Sequence, residues 1–168
     1  SVRALAGQAD HVFVSVNVTG LTLTRTDYSA HVRDCLSRLG VDPRRLHIEV
    51  TETMLINLDD AVMAQMIELA DLGVRWYVDD FGTGYSAISH LRDMPVSGLK
   101  LDRSFTAGIG RGDATARHLA NGLVGLANGL GLDTIAEGVE TQAEADYLRT
   151  LGWQHAQGWL FGKAAPLT

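Results

Sequence analysis

Apolar and polar positions follow one another along this chain in two rhythms. Short runs rich in Val, Ile, Leu and aromatics, at 11–17, 46–52, 75–81, 98–105, 133–140 and 156–161, have the length and composition of β-strands. Between them the apolar positions widen to helical spacing, at 27–39, 58–73, 84–93, 113–131 and 141–151. In the second of these, residues 62, 66, 69 and 72 form the apolar stripe, and Asp59 and Asp60 stand at the positive end of the helix dipole. Thr141 and Glu144 have capping-box spacing. Gly40, Gly73 and Gly152 each follow an apolar stretch, the place where a left-handed residue ends a helix.

Strand–helix alternation predicts right-handed βαβ units on a parallel sheet, either open and doubly wound or closed into a barrel. The strand ends decide between the two. Nearly every predicted strand closes on a polar group: Asn17, Glu49, Asp79–Asp80, Lys100–Asp102, Glu137 and Gln157. A ring of such groups from successive strands is the barrel arrangement, whereas an open sheet gathers its chemistry at one switch point. The predicted fold class is α/β, a (β/α)8 TIM-type barrel. Six strand–helix units fall short of the eight in a barrel of about 250 residues, so two N-terminal units are expected to lie before Ser1. Residues 1–168 thus read as a single domain cut short.

With 46% hydrophobic and 20% charged residues the chain is a globular protein rather than a disordered one. A net charge of −6 argues against a long nucleic acid as partner, but not against a phosphate ligand, since bound cations invert a local field. No run is long and apolar enough to insert in a membrane; 119–132 is interrupted by glycines and asparagines, of which Gly125 and Gly129 suit close helix packing. The lone Cys35 cannot form an internal disulfide and reads as a small buried hydrophobe.

Asn17, Glu49 and Asp79 are oxygen donors at the ends of three adjacent predicted strands, a set that suits Mg²⁺ or Mn²⁺. Ordinary hydrogen-bonding strand caps are the plainer reading of any one of them. The adjacent acids Asp79–Asp80 weigh against it, because neighbouring carboxylates repel unless a positive charge stands beside them. Two metals sharing Asp79 would supply that charge and clamp a phosphodiester. Lys100 and Asp102 alternate on one predicted strand and so share a face. A plain ion pair, or a lysine positioning a water, both fit Lys100.

The runs Ser15-Val-Asn17, Ile48-Glu49-Val-Thr-Glu52, Asp79-Asp80-Phe-Gly-Thr-Gly-Tyr-Ser86, Leu99-Lys100-Leu-Asp102-Arg-Ser-Phe105, Ala136-Glu137-Gly-Val-Glu140 and Gln157-Gly-Trp-Leu-Phe161 resemble the successive motifs of the EAL phosphodiesterases, in the family's order and nearly end to end. The resemblance implies metal-dependent hydrolysis of cyclic di-GMP to linear pGpG in bacterial second-messenger signalling, with a two-metal Mg²⁺ or Mn²⁺ site. It implies Asn17, Glu49, Asp79 and Asp80 as metal ligands and Lys100 with Glu137 as the catalytic pair. Glu52, Asp102, Glu140 and Gln157 come out as loop-anchoring or substrate-orienting residues. The Glu-Ala-Leu tripeptide that names the family does not occur at its place in this chain, which is therefore expected to hydrolyse weakly or not at all alone. A catalytically inactive cyclic di-GMP sensor or interaction module is the rival from another class, and a metal-dependent enolising barrel the rival enzyme. Thr19 and Ala87 stand where the family usually has serine. The resemblance also implies a cytoplasmic domain, in a parent that a membrane tether or an upstream sensory or GGDEF-type domain would suit. A homodimer or self-associating fragment is expected, with Tyr85–Leu91 as its surface.

Three further signals take plain readings. Gly108–Gly112 is expected as a flexible connection, Trp76, Trp153 and Trp159 as core, and the histidines as too scattered for a zinc site.

Overall fold

The computed structural model of the chain describes residues 12–56, 58–83 and 91–163. The predicted helix at 84–93 and the association surface Tyr85–Leu91 lie almost wholly outside them. Two compact units emerge, one of 12–77 with 91–97, the other of 78–83 with 98–163.

The first unit runs β1 (Val14–Asn17), α1 (Gly20–Leu23), α2 (Tyr28–Leu39), a 3-10 turn (Pro43–Arg45), β2 (Leu46–Thr51), α3 (Glu52–Leu55), α4 (Asp60–Leu72) and the start of β3 (Arg75–Phe81). β1 and β2 are parallel, with Val14 opposite Leu46 and Asn17 opposite Glu49. Alternation puts Leu46, Ile48 and Val50 on one face of β2 and His47, Glu49 and Thr51 on the other. Every one but Thr51 is buried, as in a parallel strand covered on both sides. Asp59 starts α4 by accepting the Val62 N–H at 2.8 Å, and Gly73 ends it at φ 107°. α2 lies against α4 through Gln65, whose Oε1 accepts the Ser29 N–H at 3.1 Å while its Nε2 donates to the carbonyls of Leu23 and Arg25.

The second unit holds the end of β3, β4 (Gly98–Leu101), α5 (Arg103–Gly110), α6 (Ala114–Leu130), β5 (Asp133–Ala136), α7 (Gln142–Leu151) and β6 (His155–Ala156). Hydrogen bonding orders the strands β1 to β6 as they occur in the chain. Parallel registers set Lys100 beside Ile135 and Ala136 beside Ala156. Ala116, Ala120 and Val124 of α6 pack with Leu101, Val139 and Leu148 in this unit's core. The predicted capping box forms: Glu144 Oε2 accepts the Thr141 N–H at 2.9 Å and Thr141 Oγ1 accepts the Glu144 N–H at 3.3 Å.

Several expectations are corrected. β4 stops at Leu101, where the Asp102 side chain accepts the Ser104 N–H at 3.0 Å and caps α5, so Asp102 is a helix cap and not a strand residue. Gly108 and Gly110 lie inside α5 rather than in a loop, and a Cβ at Gly108 would come within 2.7 Å of the Ala116 Cβ. The close packing of α6 therefore rests on its alanines; a side chain at Gly125 or Gly129 would touch nothing. Cys35 is only half buried. Trp76 and Trp153 are core, donating to the carbonyls of Met66 and Ala120, but Trp159 is 68% exposed.

Candidate metal and catalytic site

All four residues of β4 are buried, including Lys100 at 3% exposure. An ammonium so placed needs compensating charge. Asp79 Oδ1 stands 3.3 Å from its Nζ, and Glu137 Oε1 pairs with it closely. Glu137 follows the last residue of β5, and its N–H donates to the Leu101 carbonyl at 3.1 Å. Gln157 follows β6 in the same way, its N–H donating to the Ala136 carbonyl at 2.8 Å. Its side-chain Nε2 donates to Glu137 Oε1 at 2.7 Å, so one carboxylate oxygen takes both the lysine and the amide. Gly158 lets this turn close: a Cβ there would lie 2.2 Å from the Val139 carbonyl oxygen.

Asp79 and Asp80 alternate at the end of β3. Asp80 is the one non-glycine with positive φ, 54°, among the described residues, a conformation that short polar side chains tolerate. The turn is held by Thr83, whose N–H and Oγ1 both donate to the Asp80 carbonyl, at 3.3 and 2.8 Å. Burial pushes the Asp80 carboxyl above the usual range, and the charges of Asp79 and Asp102 push it further. Burial pushes Asp102 up as well, but hydrogen bonds from the Ser104 hydroxyl and N–H outweigh it and hold Asp102 below the usual range.

Asp79, Asp80 and Glu137 each offer one oxygen within 4.8 Å of the other two. Three carboxylates against one ammonium leave a formal charge of −2, and a hard dication is the species that an all-oxygen site of that charge accepts. The residues present fit such an ion.

The EAL domain family model matches residues 1–164. The chain belongs to the EAL domain family. Among EAL relatives, the cyclic di-GMP phosphodiesterase NbdA of Pseudomonas aeruginosa is 37% identical over 97% of this chain and 21% of its own length. The bifunctional diguanylate cyclase/cyclic di-GMP phosphodiesterase MucR of the same organism is 35% identical over 91% of the chain and 22% of its length. The PaMucR phosphodiesterase, solved as a c-di-GMP complex, matches with a TM-score of 0.90 at 33% identity, covering 96% of this chain and 67% of that one. Klebsiella pneumoniae BlrP1, solved with manganese and cy-diGMP, matches at 0.82 and 31% identity, over 94% and 41%. The chain spans about a fifth of the length of the curated relatives it matches. The EAL match establishes the predicted fold class: an α/β barrel type, six of whose strands are described here.

Of the residues singled out from the EAL-like motifs, Asp79, Asp80, Lys100, Asp102, Glu137 and Gln157 fall together in the second unit. Asn17 and Glu49 face each other at the end of the β1–β2 pair in the first unit, where Val18 N–H donates to the Glu49 carbonyl at 2.9 Å. Glu52, the first residue of α3, is buried. Glu140 is exposed; its N–H bonds Glu144, and its carboxylate stands outside the acidic cluster. Sequence reasoning missed the parts of Ser104 and Thr83. The Asp-x-Ser spacing of a helix cap was the signal for Ser104; nothing in the sequence pointed to Thr83.

Proposed function

We propose that this chain carries most of the catalytic face of a phosphodiesterase that hydrolyses cyclic di-GMP to linear pGpG with Mg²⁺ or Mn²⁺. One observation carries the reading. A buried lysine is clamped between Glu137 and Asp79, next to Asp80, at strand ends that match the EAL motifs. The activities for which MucR and NbdA are named support it, as do the manganese and cy-diGMP bound to BlrP1.

Asp79, Asp80 and Glu137 would hold the cations; by motif position alone Asn17 and Glu49 take the same role. Bound dications supply Lewis-acid stabilisation of the phosphoryl oxygens and lower the pKa of a water nucleophile. The reaction adds water across one diester: a P–O bond forms from water, the bond to a 3′ oxygen breaks, and that oxygen takes a proton. Glu137, steadied by Gln157, accepts the proton that the attacking water gives up. Lys100 holds the carboxylate that does so. Glu52 and Asp102 anchor the segments that carry these groups. The bifunctional relative MucR supports an upstream partner domain in the whole protein, and a dimer is the assembly we expect. No described helix is long and apolar enough to cross a membrane.

Mass analysis of cyclic di-GMP incubated with the chain and Mn²⁺ in ¹⁸O water tests the reading. A single ¹⁸O in pGpG, absent with Lys100→Met, is the expected result. No pGpG from this chain or from a longer form that carries it would overturn the proposal.

A further inference from the structure

Both turns that carry the carboxylates of the cation site rest on the first turn of α5. After β3, a Cβ built on Gly82 would stand 3.3 Å from Phe105 Cε2, 3.4 Å from its Cζ and 3.2 Å from Leu123 Cδ1. The bare backbone just beyond Asp80 therefore sits on the edge of the Phe105 ring, with α6 beside it. After β5, a Cβ on Gly138 would come within 2.6 Å of Arg103 Cβ and 3.3 Å of Arg103 Cα. Arg103 and Phe105 lie about 200° apart around the helix axis, so the two turns seat on nearly opposite sides of it. α5 is itself fixed at this end. The Asp102 side chain caps it, and the Phe105 N–H donates to the Asp102 carbonyl at 3.1 Å. Phe105 is half-buried and packs with Leu123 against the second unit's core, and no step of the hydrolysis uses its ring.

We propose that Phe105 is a positioning residue for the cation site: its ring fixes where the Asp79–Asp80 turn stands against the Glu137 turn, and so sets the preference of the site for Mg²⁺ over Ca²⁺. The inference rests on the cation-dependent hydrolase reading above. Mg²⁺ demands oxygens in near-ideal octahedral directions at about 2.0–2.1 Å, whereas Ca²⁺ accepts about six to eight at about 2.3–2.6 Å in flexible geometry. Selection between them needs carboxylates whose spacing cannot relax. A ring packed on bare backbone supplies that stiffness, because no side chain stands between the two to give way. The two seats differ in one respect. Arg103 meets Gly138 through Cβ and Cα, atoms that any residue but glycine supplies, so the choice of side chain sets the spacing only at Phe105.

Two replacements change that seat by different means. Phe105→Leu is smaller than the ring. Phe105→Met keeps nearly the same bulk but replaces a rigid plate with a flexible chain. Leu151→Ala, which takes packing from the same core at the C-terminal end of α7, is the control.

NMR and calorimetry on the metal-free chain and these variants test the assignment. The Gly82 amide signal should be displaced by the Phe105 ring current in the wild type. Both Phe105 variants should abolish that displacement and move the Asp80 and Thr83 amides, which Leu151→Ala leaves in place. On titration with Mg²⁺ and, separately, with Ca²⁺, the ratio of the two affinities should fall at least tenfold in Phe105→Leu and Phe105→Met. In Leu151→Ala it should hold even as the melting temperature drops, which a merely structural role for Phe105 would not distinguish. The proposal is overturned if the Gly82 signal ignores Phe105, if the ratio holds in both Phe105 variants, if Leu151→Ala shifts it equally, or if the wild type binds neither ion. Turnover separates the two readings. Should the expected shifts and ratios hold while no cyclic di-GMP is hydrolysed by this chain or a longer form, the positioning role stands and the hydrolase reading falls. Should hydrolysis proceed with one Mg²⁺-over-Ca²⁺ preference in every variant, the reverse follows.

Discussion

Two turns in the second unit bring carboxylates to the same place by opposite means. After β5, Glu137 is neutralised by the protein itself: Lys100 and Gln157 share one of its oxygens, Gly138 takes the left-handed position at φ 65°, and the Glu144 capping box ties down the residues that follow. After β3, Asp79 has the far side of the same lysine, but Asp80 sits in a left-handed conformation beside two like charges, which with burial raise its carboxyl. The β5 turn is complete without a ligand. The β3 turn holds a cost that a dication would relieve, which is how a protein keeps an affinity for metal built into its backbone.

The comparison breaks most severely at Lys100, which both turns use. Lys100→Met leaves two largely buried carboxylates facing each other, and an unfolding free energy lower by about 3–5 kcal/mol is expected in urea titration. Activity should fall by roughly 10²–10⁴. Near-wild-type stability would mean the clamp is ornamental. Gly158→Ala strikes the β5 turn alone. Its methyl meets Val139 backbone, which cannot swing aside as a side chain can, and a loss of about 1–3 kcal/mol is expected from overpacking. If calorimetry finds none, the turn is looser than the Gln157–Glu137 bond requires. Gln157→Ala removes only one hydrogen bond and should cost about 1 kcal/mol, with turnover reduced while metal affinity stays.

The mildest test sharpens the β3 side by pH. A carboxyl raised in the folded state binds its proton more tightly than the unfolded chain does. Its stabilisation is therefore full below the unfolded value of 3.8 and is lost as pH rises through the higher folded value. Asp102, held low, acts in the other direction and only below 3.8. The metal-free protein should thus lose a little stability as pH rises above 3.8, and Asp80→Asn should remove that loss while keeping the left-handed turn. Melting curves with and without Mn²⁺ check the sign: metal should cancel the loss in the wild type only.

Much of this contrast was legible beforehand, for different reasons in its two halves. Helix ends at Gly40, Gly73 and Gly152 and the Thr141–Glu144 box were readable because caps are local chemistry. The clustering of Asp79, Asp80, Lys100 and Glu137 was readable because parallel strands deliver their ends to one side. What stayed hidden depends on tertiary geometry. Residues 98–105 carry enough apolar side chains to read as one strand, and only the Asp102–Ser104 bond shows where helix begins. Gly125 and Gly129 have the spacing of a packing seam but face nothing, since the helix turns Ala120 and Val124 inward instead. The left-handed Asp80 leaves no mark in composition at all.

Direct titration of Mn²⁺ into the chain, read by the paramagnetic signal of the free ion, tests the central claim that the Asp79, Asp80 and Glu137 oxygens form a cation site. Saturable binding that Asp79→Asn and Glu137→Gln each weaken at least tenfold, and that Glu140→Gln leaves alone, is the expected result. Binding unchanged in the first two variants, or no binding at millimolar Mn²⁺, would contradict it.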